Sequence, residues 1–241
     1  MDAWSPGTSR ASAAPIGLSR TAEFMAAVYR WMAFGLALTG MVAWAVSTSP
    51  ALQSAFYRVT PDGRYAGVTG LFWIVGIAEL AMVWMFSSVV QRASMAAAVG
   101  MFLGYCALSG VTFSIYLLVY TGASVASTFF VTGGAFFGLS LYGTVTKRDL
   151  SGARSFLMMG LIGIILAMVV NIFLHSSALY FVISCAGVVV FAGLTAYDTQ
   201  KIRALGEEGD ERMALRGALF LYLDFINLFI MLLRLFGRRR D

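Results

Sequence analysis

Apolar residues in this chain come in long unbroken runs. Seven can be marked, at about 26–46, 68–90, 95–119, 123–145, 156–174, 178–198 and 213–236. Each is close to the roughly 20 residues that carry an α-helix across the hydrocarbon core of a bilayer. The strict alternation of a transmembrane β-barrel is absent. The pattern predicts an all-α integral membrane protein with seven transmembrane helices.

Polar residues mark the joints. Residues 1–22 are rich in Ala, Ser, Gly and Pro, and no apolar run follows the early charges before Arg20. This segment reads as a flexible tail, with the helical domain occupying 23–241. Thr121-Gly122 and the stretch 175–177 are tight, uncharged turns between helices. Residues 49–67 form a longer loop with Pro50, Pro61 and Asp62-Gly63, which predicts a turn. Asp149 and Ser151 are placed to cap the helix that follows Lys147-Arg148.

Acidic residues inside the runs are the candidate chemistry. Asp198 closes the sixth run, Asp224 lies within the seventh, and Glu79 falls near the middle of the second. A charged side chain at the centre of a spanning helix costs roughly 2.5–3.5 kcal/mol on insertion scales, so a functional reading is the default. Asp198 lies about 30 Å along its helix and Asp224 about 15 Å into the next, at 1.5 Å per residue. Consecutive helices pack antiparallel, which brings the two to comparable depth. Two carboxylates in contact cannot both ionise cheaply, so they would share a proton and act as a pH sensor at an inner gate. Deprotonated, they would attract a hard cation such as Ca²⁺. The bland alternative pairs Asp198 with Lys201, three residues on along the same face, and gives Asp224 a hydrogen bond to a neighbouring helix. Glu79, Asn171 and Asn227 are the further candidates for an ion pathway. Thr112, Ser114, Thr128, Thr132 and Ser140 read as helix-packing hydroxyls.

Composition agrees with the pattern. Only 12% of the 241 residues are charged and the mean hydropathy is +0.80, against about 25% charged in soluble domains. The net charge of +5 reflects basic loops facing the cytoplasm, not nucleic-acid binding. Cys106 and Cys185 both lie in apolar runs and read as packing residues. The single histidine, His175, excludes a histidine-based metal site or triad. No resident cofactor is expected. With the N-terminus inside and seven spans, 11 Lys and Arg fall inside and six outside. The dissenters are Arg234 and Arg238 to Arg240. A re-entrant last segment would move those four inside and make the count 15 to two.

Three segments in register resemble the transmembrane Bax inhibitor motif family, of the Bax inhibitor-1 or YccA type. They read LYGTVTKRDLSG over 141–152, FAGLTAYDTQKIR over 191–203 and GALFLYLDFINLFIMLLRLFG over 217–237. The resemblance implies seven helices with the last at the centre of the other six. It implies that Asp198 and Asp224 are the family's di-aspartyl pair, a pH-sensitive latch on a calcium leak. The chain looks bacterial in style, so an inner membrane is implied, and the Lys and Arg count puts the N-terminus on the cytoplasmic side. Some members bridge the pair with an arginine from the second span. This chain has none between 68 and 90 and offers Glu79 instead. Thr144 stands where many members carry an aromatic.

Two other functions compete. Relatives are associated with a membrane-bound quality-control protease and with cell-death suppression. A regulatory role without transport would put partner contacts on the tail and on the mixed-charge loop 201–216. Intramembrane aspartyl proteolysis is disfavoured, because Leu221-Tyr222-Leu223 precede Asp224 in place of glycines and no Pro-Ala-Leu segment follows. No enzymatic activity is expected.

Overall fold

The computed structural model describes residues 16–60, 65–90 and 92–240. Eight helices account for most of them: α1 (Ile16–Thr48), α2 (Pro50–Phe56), α3 (Gly70–Val89), α4 (Met95–Val119), α5 (Gly122–Val145), α6 (Arg154–Leu174), α7 (Ser177–Ala204) and α8 (Glu211–Phe236). Six contain stretches long and apolar enough to cross a membrane; α3 holds a shorter apolar stretch, Gly70–Phe86. The chain is an all-α membrane protein.

Helix starts follow the sequence signals. Thr69, Ser94, Thr121, Ser176 and Asp210 each accept a backbone N–H of the first turn, which satisfies a donor that the helix itself leaves unpaired. α1 begins at Ile16, earlier than the boundary expected after residue 22. The rest of the expected tail lies outside the described residues. The loop 49–67, expected to be a longer loop containing a turn, has more regular structure than the sequence suggests. It folds as α2 followed by a hairpin of β1 (Tyr57–Val59) and β2 (Tyr65–Val68), paired antiparallel. The turn itself, at 61–64, lies outside the described residues. Asp149 caps one step earlier than expected. It accepts from the Ser151 backbone N–H at 2.9 Å and from the Ser151 hydroxyl, and so starts a single 3-10 turn at Ser151–Ala153 ahead of α6. These bonds hold its exposed carboxyl below the usual carboxylate range.

The bundle is built around the last helix. α8 packs against α1, α4, α5 and α7, and its side chains from Ala214 to Leu233 are mostly buried. The outer helices turn large apolar side chains outward, among them Trp84, Phe130, Phe137, Phe156 and Phe173. In water such a surface would aggregate; against acyl chains it costs nothing. α6 packs on α7, and α3 packs on α4.

Connections alternate between two ends. The α5–α6 and α7–α8 connections share one end. There, Thr21 and Phe24 of α1 lie against Gly206 and Gly209, and Arg212 donates to the Ala93 carbonyl at 3.0 Å. The α4–α5 turn is at the other end. Thr121 N–H donates to the Arg238 carbonyl and Arg240 N–H to the Val119 carbonyl, both at 2.9 Å. α8 therefore runs from one end to the other as one continuous helix. It is not re-entrant, and the dissenting arginines sit opposite the basic loops.

Close helix approach depends on small residues. A Cβ at Gly143 of α5 would collide with the carbonyl oxygen of Ala196 in α7, whereas one at Gly138 would meet nothing within 4 Å. Gly143→Ala is expected to destabilise the bundle by about 1–3 kcal/mol, the usual cost of overpacking. Gly138→Ala should leave stability unchanged or slightly raised, because alanine is the better helix former. Thermal melting of both variants in detergent checks this; equal melting temperatures would refute the tight α5–α7 crossing.

Candidate functional site

Asp224 sits about 20 Å from the start of α8 and about 18 Å from its end, at 1.5 Å per residue. It is only 5% exposed. Asp198 lies on α7, about 9 Å before that helix ends, and is half-buried. The two carboxyl groups come within hydrogen-bonding reach of each other. Ionised carboxylates are acceptors only, so a hydrogen bond between the two requires a proton on one of them. Oδ2 of Asp224 is buried and has no hydrogen-bond partner among the described residues.

Two cations act on Asp198: Lys201 of α7 and Arg154 at the start of α6. Neither forms an ion pair with it within 4 Å. Among the described residues the ion pair is Arg212 with Asp210, at 3.6 Å. Lys201 places its ammonium over the Tyr197 ring, 5.9 Å from the centroid. Beside this helix end a cleft of about 520 Å³ opens, lined by Lys147, Arg148, Asp149, Ser151, Tyr197, Gln200, Lys201 and Ala204. The cleft gives the pair's end of the bundle a polar mouth.

Hydroxyl chains fix α7 at this level. Thr199 donates to its own helix at the Thr195 carbonyl, 2.7 Å away. The Ser140 hydroxyl can then donate to Thr199 at 3.0 Å, and Tyr29 to Ser140 at 2.5 Å. This chain ties α1, α5 and α7 together one residue after Asp198. Gln200, the next residue, accepts from Leu150 N–H at 2.9 Å and donates to the Arg148 carbonyl at 2.8 Å. It thus fastens the α5–α6 loop to α7.

The remaining candidates stand elsewhere. Glu79 of α3 accepts from the Ser109 hydroxyl, and Thr112 is also within reach. Tyr222 and Tyr105 approach the same Ser109. Thr39 donates to the Cys106 carbonyl at 2.9 Å, so Tyr222 is the donor in its 2.8 Å bond to Thr39. Tyr222 and Asp224 are two residues apart, hence about 200° around α8. The helix therefore carries two polar faces, the aspartate pair on one and the Glu79 network on the other. Asn227 bonds back to the Leu223 carbonyl at 2.8 Å. Asn171 holds the α6–α7 turn: its side chain accepts from Ser176 N–H at 3.0 Å and its carbonyl from His175 N–H at 2.9 Å. That turn is at the far end from the pair. It needs His175 in the left-handed region, at φ 49°.

Sequence reasoning missed Arg154, Gln200 and the Tyr29–Ser140–Thr199 chain. Arg154 and Gln200 carried no apolar-run signal. Of the three hydroxyls, Ser140 alone stood out, and only as a packing residue. Among the described residues, no group of three or more His, Cys, Asp or Glu side chains could hold a metal ion.

A helical bundle that buries a two-carboxylate contact beside a polar mouth defines the class: a polytopic membrane protein with an intramembrane acid pair. Residues 21–241 match the family described as Inhibitor of apoptosis-promoting Bax1, and the chain belongs to it. It is 47% identical over 226 residues to the inner membrane protein YbhL of Escherichia coli (strain K12), covering 90% of this chain and 92% of that protein. Relatives in Caulobacter vibrioides and Deinococcus radiodurans are 44% and 43% identical, each over at least 90% of both chains.

Removing the Gln200 amide should free the α5–α6 loop without moving the carboxyl pair. In Gln200→Ala, amide exchange over 146–153 is expected to speed up, with a stability loss of about 1 kcal/mol for the lost hydrogen bonds. Unchanged exchange there would show that the loop is held by something else.

Proposed function

We propose that this chain is a pH-sensitive cation leak of the bacterial inner membrane, with Ca²⁺ as its substrate, gated by Asp198 and Asp224. The observation that carries this reading is the meeting of the two carboxyl groups from consecutive helices in the interior. Their contact depends on a proton. Its loss turns a hydrogen bond into two facing negative charges, which repel and at the same time attract a hard cation. Lys201 and Arg154 are the positive charges that balance the open form. Ca²⁺ takes six to eight oxygens, and two carboxylates supply no more than four. The pair therefore suits passage and not retention.

The name of the Escherichia coli relative, an inner membrane protein, supports the location. The surplus of Lys and Arg on the side of the α5–α6 and α7–α8 connections supports a cytoplasmic N-terminus. In that orientation the acid pair lies toward the cytoplasmic mouth.

Ca²⁺ flux into vesicles containing wild type, Asp198→Asn, Asp224→Asn and Glu79→Gln, recorded from about pH 5 to 8, tests the proposal. Wild-type flux is expected to vary with pH, and both aspartate variants to lose that dependence. Glu79→Gln should keep it, because Glu79 bonds Ser109 on the other face of α8. Flux that is absent or flat in all four proteins would remove the gate and favour a regulator of a membrane-bound protease or stress pathway.

A further inference from the structure

The far end of the bundle carries a second assembly of charge, independent of the acid pair. Arg234 lies in the last turn of α8. Its guanidinium stands over the Tyr180 ring at 5.2 Å and points one Nη at the Met168 thioether, 3.7 Å away. Tyr116 is within hydrogen-bonding reach, and the buried Nε of Arg234 has no acceptor among the described residues. Three more arginines follow. They are held in place: Thr121 N–H donates to the Arg238 carbonyl, Arg238 N–H to the Ser124 hydroxyl at 2.8 Å, and Arg240 N–H to the Val119 carbonyl. Arg240 Nε also donates to the Tyr120 carbonyl at 3.0 Å. The hydroxyls of Tyr120 and Tyr180 lie beside Arg239.

No described carboxylate pairs with any of these four arginines; Asp62 and Asp241, the acids nearest in sequence to this end, lie outside the described residues. The side chains of Arg238, Arg239 and Arg240 are exposed at this end of the bundle, and most of their N–H donors have no partner among the described residues. Exposed apolar side chains stand at the same end: Val119, Phe173, Leu174 and Phe236. Fixed guanidinium groups above an apolar rim match a ligand that is anionic at the top and apolar below. Guanidinium binds phosphate oxygens two at a time.

We infer that Arg238, Arg239 and Arg240, backed by Arg234 and pinned to the α4–α5 turn, form a binding site for the phosphate headgroup of an anionic phospholipid. The site explains why these basic residues stay opposite the basic loops, against the usual charge asymmetry of membrane proteins. Free phosphate shares the headgroup chemistry but lacks acyl chains to lie on Phe236 and its neighbours.

The test uses the full chain in detergent, with thermal melting read after adding phosphatidylglycerol, phosphatidylcholine or inorganic phosphate. Phosphatidylglycerol is expected to raise the melting temperature, the other two to leave it in place. The combined variant Arg238→Gln, Arg239→Gln, Arg240→Gln keeps the backbone bonds of the tail and should lose most of the rise. Arg92→Gln with Lys147→Gln, at the opposite end, should keep it. Equal stabilisation by phosphatidylcholine, or by phosphate alone, would overturn a lipid headgroup site. So would a full response in the triple variant. Native mass spectrometry of the same proteins gives a readout independent of stability: phosphatidylglycerol retained by wild type and lost from the triple variant.

Discussion

A carboxyl group in the middle of a spanning helix cannot face lipid, and α8 places Asp224 there. The same helix carries Arg216, Asn227 and Arg234, whose polar groups acyl chains would not satisfy either. Surrounding α8 with other helices shields all of them at once. α1, α4, α5 and α7 do this, and the outer helices are left to meet the membrane with Trp, Phe, Leu and Ile. The arrangement thus follows from where polar atoms can go, because apolar side chains gain little from preferring one another over lipid.

Shielding alone would leave Asp224 without a partner. Its neighbour in the bundle is Asp198, the one acid of α7, and the two need a proton to meet. Hydroxyl side chains keep α7 in position for this. Tyr29, Ser140 and Thr199 form a directed chain across three helices at the level of Asp198. Gly143 lets α5 approach the α7 backbone closely enough for that chain to close. Packing and hydrogen bonding therefore act on the same crossing.

Much of this was legible in the sequence. Runs of apolar residues marked the spanning helices, because lipid demands them over a fixed length. The two aspartates stood out, because they break such runs. Three things were not legible. The hairpin at Tyr57–Val68 sits outside the membrane, where the apolar pattern says little. The backbone partners of Asn171 and Asn227 were hidden, because an amide that bonds to its own chain looks the same in sequence as one that faces a cavity. Glu79 was grouped with the aspartates by charge alone, while the rotation of α8 puts it on a different face. Periodicity gives depth along a helix well, but relative rotation only through contacts that a single sequence does not display.

The placement of α3 at the rim gives Glu79 a different significance. α3 packs on α4 and leaves most of its large side chains, Trp73, Ile77, Leu80 and Trp84 among them, in contact with lipid. Moving it away from α4 would exchange one apolar neighbour for another, at little free-energy cost. The bond from Ser109 to Glu79 is different, because acyl chains cannot replace it. Glu79 therefore works as a clasp: in a helix otherwise free to float, one carboxyl fixes its rotation and its height against the bundle.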